Sequence, residues 1–171
     1  EPGAGIWLRL EIRRYGEVAE PAVAFYPEIA RLAARAGHAI ARAGLPGAFE
    51  TRFGPVEMGD IQLGDGGTPT PCIGFRVGRQ EPGISFSGLA CGTSARPLDR
   101  PTLACAINRL DLIASGDDRA LGAYFAATEV RRHRDCAQVR QVAPQDGAWL
   151  RSAEKPAPLK GSLARAEQQA R

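Results

Sequence analysis

No stretch of this chain approaches the roughly 18 consecutive apolar residues of a membrane-crossing helix, so helical spanning is excluded for the sequence at hand. No charge of one sign dominates it. The formal net charge of +3 is too small to require nucleic acid or an anionic lipid surface as partner. No two of the four cysteines stand as C-x-x-C, which removes a zinc knuckle and a thioredoxin-type redox motif. Lysine is missing until Lys155 and Lys160, and arginine carries the positive charge elsewhere. With so much alanine and glycine, that is the compositional habit of a GC-rich bacterial genome. The chain begins at Glu1 with no charged-then-apolar leader behind it. An N-terminal leader or membrane anchor that once preceded Glu1 is therefore expected, and membrane contact only through it.

Catalytic and cofactor motifs are also scarce. Gly64-Asp65-Gly66-Gly67 lacks the lysine and the strand-to-helix setting of a phosphate loop and reads as a turn. Asp60 and Asp65 do not have the spacing of a calcium loop. Gly83-Ile84-Ser85-Phe86-Ser87 has serine where a nucleophile elbow needs its second glycine, so Ser85 and Ser87 read as the polar face of a strand. His38 and His133 have no acid or cysteine at ligand spacing. Asn108, Arg109 and Asp111 form the densest polar cluster, which a solvated helix face explains. No catalytic, metal or cofactor-binding residue is expected.

What remains is the balance of a folded chain, 44% hydrophobic and 24% charged across 171 residues, enough for one domain around a single core. Three regions separate. In residues 1–20, Ile6, Leu8, Leu10 and Ile12 alternate with mostly charged neighbours, the period of a half-buried strand. Residues 21–136 hold nearly all other apolar periodicity. Residues 137–171 form a basic, proline-broken tail. Residues 131–171 carry nine Lys or Arg against four Asp or Glu, a net of +5, while residues 1–130 carry thirteen against fifteen, a net of −2.

The expected fold is α+β. A helix over about 27–43 starts at Pro27-Glu28, carries Ile29, Leu32, Ala33, Ala36 and Ile40 on one side, and stops at Gly44. A small antiparallel, hairpin-rich sheet over about 49–91 packs against it, with strands at Phe49–Phe53 and Val56–Leu63. Two further strands form a hairpin in which Arg79 faces Ile84, Val77 faces Phe86, Phe75 faces Gly88, Ile73 faces Ala90 and Cys72 faces Cys91. A helical hairpin over about 102–134 follows. Leu103, Ala106, Ile107, Leu110 and Ala114 line its first arm, the short loop Ser115-Gly116-Asp117 turns it, and Asp117 caps a second arm with Leu121, Tyr124, Phe125 and Thr128 inward.

Four cysteines at 72, 91, 105 and 136 suit two disulfides in an oxidising compartment, hence a periplasmic or extracellular chain. The alternative is four buried thiols in the cytosol. Sequence leaves three connectivities. The strand register favours Cys72 with Cys91 and Cys105 with Cys136, and pairing Cys91 with Cys105 would close a short loop instead.

The functional expectation is a non-catalytic, extracytoplasmic interaction or accessory-subunit domain of a tethered or exported bacterial protein, working within a larger complex. Its partners would be other protein subunits, met through the N-terminal segment and the basic tail. In the tail, Trp149 and Leu150 form an aromatic and aliphatic anchor, with Arg151, Lys155 and Lys160 at its rim. The alternatives are a small secreted hydrolase and a small-ligand carrier with a pocket between sheet and helices.

Overall fold

Seven strands and three α-helices follow one another in the computed structural model, which describes residues 6–15, 23–64, 68–80, 83–93, 95–139 and 141–142. The order is β1 (Trp7–Arg14), α1 (Phe25–Arg35), β2 (Ala39–Ala43), β3 (Gly47–Thr51), β4 (Gly54–Gly64), β5 (Thr70–Gln80) and β6 (Ile84–Cys91). Then come α2 (Arg100–Asn108), α3 (Arg119–Glu129), a 3-10 turn at Cys136–Gln138, and β7 (Gln141–Val142). The strands make one antiparallel sheet in the order β1-β6-β5-β4-β3-β7. Long β4 serves two neighbours on one edge: β3 along Gly54–Met58, and β2 along Ile61–Gly64.

The hairpin read from the alternation of β5 and β6 has the expected register from Cys72↔Cys91 through Val77↔Phe86. It departs at the loop end, where Gln80 rather than Arg79 stands opposite Ile84. An extra β5 residue is accommodated between Val77 and Gln80, beside Gly78, and a glycine inside a strand commonly marks such a bulge. Phe75 crosses to cover Gly88, where a Cβ would lie 2.3 Å from both its ring and the Arg9 carbonyl oxygen. Only glycine fits there.

The helices are shorter than their periodicity predicts. α1 begins at Phe25, with Pro27 in its first turn, and ends at Arg35 instead of running to residue 43. Gly37, at φ +81°, is the stop. Its N–H donates to the Ala34 carbonyl and that of His38 to the Ala33 carbonyl, the two bonds of a left-handed C-terminal cap. Ile40 therefore belongs to β2, on the same apolar side as α1 but not on its helix.

α2 starts where Asp99 accepts the Thr102 N–H at 2.7 Å, and it ends at Asn108 rather than near Gly116. Tertiary partners intervene: the Asn108 side chain and the Leu110 carbonyl are both engaged by Arg52, on the turn between β3 and β4. Residues 109–118 become a wide connection instead of a tight turn. Asp118, not Asp117, caps α3 by accepting the Leu121 N–H at 3.0 Å. Tyr124, Phe125 and Thr128 face inward as expected.

The sheet separates two apolar clusters, so the expected single core is split. On one face Ile73, Phe75, Val77 and Phe86 meet Leu103 and Ile107 of α2 and Phe125 of α3. On the other, Leu89 and Ile61 meet Ile29 and Leu32 of α1. Every residue of central β6 is consequently buried. Ser85 and Ser87 do alternate with Ile84 and Phe86 as a polar strand face, and that face is buried as well.

Candidate functional site

Among the described residues β1 lies at one end of the strand order, paired to β6 along one side only. Its alternation holds: Leu10 packs on the cluster shared with α2 and α3, while Trp7 packs on the cluster under α1. Yet the aliphatic row extends beyond what the helices cover. Ile6 is 56% exposed, Leu8 49% and Ile12 45%. Three large aliphatic side chains in a row on a sheet edge form the most conspicuous apolar surface among the described residues. Such an edge offers both a sticky face and a backbone template.

The opposite face of β1 carries charge. Glu11 is approached by Arg35 of α1 at 2.7 Å, by Arg9 at 3.5 Å and by Arg13 at 3.6 Å. Arg13 also reaches Glu28 at 3.7 Å, and Glu28 meets Arg76 at 3.3 Å. Arg76 in turn binds Glu57 at 2.5 Å and donates to the Val23 carbonyl at 2.6 Å. The chain of ion pairs thus runs from β4 beneath α1 to the edge strand. It pins α1 and leaves Arg9 and Glu11 at the rim.

A second polar centre escaped the sequence reading. The β3–β4 turn is made of Arg52 and Phe53, both fully buried. The Arg52 guanidinium donates to the Leu110 carbonyl and to Glu129, and stands 4.5 Å from the Phe53 ring centre. Its backbone N–H donates to Asn108 Oδ1 at 2.9 Å, while Asn108 Nδ2 donates to the His133 carbonyl at 2.9 Å. Burial lowers the Arg52 pKa, as does nearby Arg132, against the acids Glu129 and Asp111. Asn108 is therefore a buried tie, not part of a solvated face as the spacing suggested. Asp111 bridges Arg132 on the surface, held below the usual carboxylate range chiefly by that hydrogen bond. Arginine in a two-residue hairpin turn is ordinarily exposed, so no local signal marked it.

The other singled-out residues are dispersed. Ser85 donates to the Tyr15 hydroxyl at 3.2 Å, and His38 sits with its ring 6.3 Å from that of Trp7. Among the described residues no three His, Cys, Asp or Glu side chains are placed to hold a metal ion. Between sheet and helices the space is filled by Phe53, Phe86, Tyr124 and Phe125, whose ring centres lie 5.3 to 6.0 Å apart. An open groove of about 600 Å³ does lie beside Phe49, Asp60, Arg100 and Gln141. Its arginine is already held in a two-pronged pair with Asp60, at 3.1 and 2.6 Å. Trp149, Leu150, Arg151, Lys155 and Lys160 lie outside the described residues.

Both disulfides join the partners that strand register favoured, Cys72–Cys91 and Cys105–Cys136. Two bridges and no free cysteine point to an oxidising, non-cytoplasmic compartment. No described helix is long and apolar enough to cross a membrane. No protein-family model, curated protein or solved structure matches the chain.

Tyr124 supplies a test of the packing. Its hydroxyl is buried with no hydrogen-bond partner among the described residues, and burial pushes its pKa up from 10.0 to about 12. With the folded value above the unfolded one, the associated stability is fully present below about pH 10 and is lost as pH rises toward 12. Tyr124→Phe should match the native chain or exceed it by about 1 kcal/mol in urea unfolding at neutral pH. It should also lose less stability between pH 10 and 12. A clear loss at neutral pH would mean the hydroxyl is satisfied after all.

Proposed function

We propose that this protein is a non-catalytic interaction domain of the periplasm or cell exterior, an accessory subunit that meets other protein subunits in a larger complex. The exposed aliphatic side chains of Leu8 and Ile12 on β1, with Ile6 just before it, carry the reading: among the described residues β1 is an edge strand. Apolar side chains at a sheet edge invite aggregation unless something covers them. The charged rim of Arg9, Glu11 and Arg13 adds the polar surround of a protein contact. The two disulfides support the compartment. The paired arginine of the open groove and the aromatic filling between sheet and helices give a hydrolase or carrier less to work with.

The basic tail is the second proposed contact, with Trp149 and Leu150 as anchor and Arg151, Lys155 and Lys160 at the rim. A photo-crosslinking residue placed at Leu8 or Ile12 in the producing cell should yield discrete protein adducts, and one placed at Ala34 on the outer side of α1 should not. Deleting residues 145–171 should weaken capture of the same partner, with Trp149→Ala reproducing about 2 kcal/mol of the loss if it is a hot spot. Equal adduct patterns at Leu8, Ile12 and Ala34 would sink the assignment of β1 as the contact strand.

A further inference from the structure

We infer that the occupant of the β1 edge is β1 of a second copy of this chain, paired antiparallel about a two-fold axis at Leu10, so that one sheet runs through both copies. This rests on the reading of β1 as an interaction strand and names its partner.

The backbone restricts the pairing first. Tyr15 N–H donates to the Gly83 carbonyl at 2.7 Å, continuing the register that sets Trp7 opposite Cys91. Backbone groups alternate in direction along a strand. Residues 7, 9, 11 and 13 therefore turn theirs toward β6, and Leu8, Leu10, Ile12 and Arg14 turn theirs to the open side. Self-pairing must then join even-numbered residues to even-numbered residues. Three centres use the middle of the strand: Arg9, Leu10 or Glu11.

Charge chooses among them. Centring on Arg9 places Arg9 against its own copy. Centring on Glu11 places Glu11 against Glu11 and Arg9 against Arg13. Like charges directly opposite destabilise a pair. Centring on Leu10 sets Arg9 opposite Glu11 of the second copy, twice over, and Trp7 opposite Arg13, where a guanidinium can lie on the indole. These are the pairs not joined by hydrogen bonds, whose side chains approach most closely. On the other face, Leu8 meets Ile12 and Leu10 meets Leu10. A two-fold axis perpendicular to the sheet keeps both aliphatic rows on one side, so the exposed Leu8 and Ile12 of both copies gather around Leu10. The segment Trp7–Arg13 is its own complement in this one register.

The test is sedimentation velocity of the full chain over a dilution series. The native chain should show a concentration-dependent monomer–dimer equilibrium. Arg9→Glu and Glu11→Arg should each dimerise at least about tenfold more weakly. Mixing the two variants should restore association. The glutamate introduced at position 9 then faces the arginine introduced at position 11, and the native Glu11 and Arg9 face each other. Because Glu11→Arg also breaks the pair with Arg35, Leu8→Lys, at an exposed side chain, gives a second variant that should melt like the native chain and remain monomeric. A native chain that is monomeric at every concentration would overturn the inference, and so would a dimer that the mixture fails to restore. A monomeric chain whose Leu8 crosslinks hold a different protein would remove the self-pairing and keep the interaction reading. A dimer that forms no adduct with any other protein would do the reverse.

Discussion

The Cys105→Ala/Cys136→Ala variant is expected to unfold with on the order of 4 kcal/mol less stability than the native chain, from the entropy of the loop it releases. The two cysteines are 31 residues apart, and the loop they close contains all of α3. Cys136 is exposed and Cys105 is buried against the cluster beneath α2, so little packing is lost at one end and one sulfur's worth at the other. The effect is therefore mainly on the unfolded chain. Urea titration should show a lower midpoint and a steeper dependence, because a chain without the cross-link exposes more surface on unfolding. The Cys72–Cys91 bridge closes a loop of 19 and should contribute about 3 kcal/mol by the same reasoning. An unchanged midpoint for the Cys105→Ala/Cys136→Ala variant would mean that the bridge does not restrain the α3 region.

Arg52→Met should cost about 3 kcal/mol, the low end for removing one partner of a buried ion pair. The Arg52 side chain is only 1% exposed, yet its acids Glu129 and Asp111 are more than half exposed and can regain water. What is lost is the bond to the half-buried Leu110 carbonyl and the contacts of the guanidinium with the Phe53 and Phe125 rings. Methionine fills much of the volume, so the loss reports the guanidinium rather than a cavity. Arg52→Lys should recover only part of it, since an ammonium cannot donate in the planar fork that reaches two acceptors. Chemical denaturation of both variants measures the difference. A methionine variant within about 0.5 kcal/mol of the native chain would show that the turn is held by Phe53 alone.

The two predictions stand on opposite sides of what was legible in the residues. The Cys72–Cys91 pairing followed from alternation, because a period-two pattern on two strands with a short loop fixes which residues face each other. β1 followed from its own two-residue alternation, and the inward residues of α3 from the 3.6-residue helical period. Helix ends did not. Gly37 and Gly44 are equally good stops by type, and the choice rested on two backbone hydrogen bonds that only the folded turn displays. The early end of α2 depended on Arg52, more than fifty residues earlier, engaging Asn108 and Leu110.

The same division holds for the surface. Residue order alone determined that Ile6, Leu8, Leu10 and Ile12 share a face, since side-chain direction in a strand is set locally. It likewise determined that Arg9, Glu11 and Arg13 occupy the other face. Only the tertiary structure decided that the aliphatic row would stay partly exposed, because burial depends on where α2 and α3 stop. It also decided that β1 would be the last of the described strands on its side of the sheet, because strand order is set by long-range pairing that no local pattern encodes.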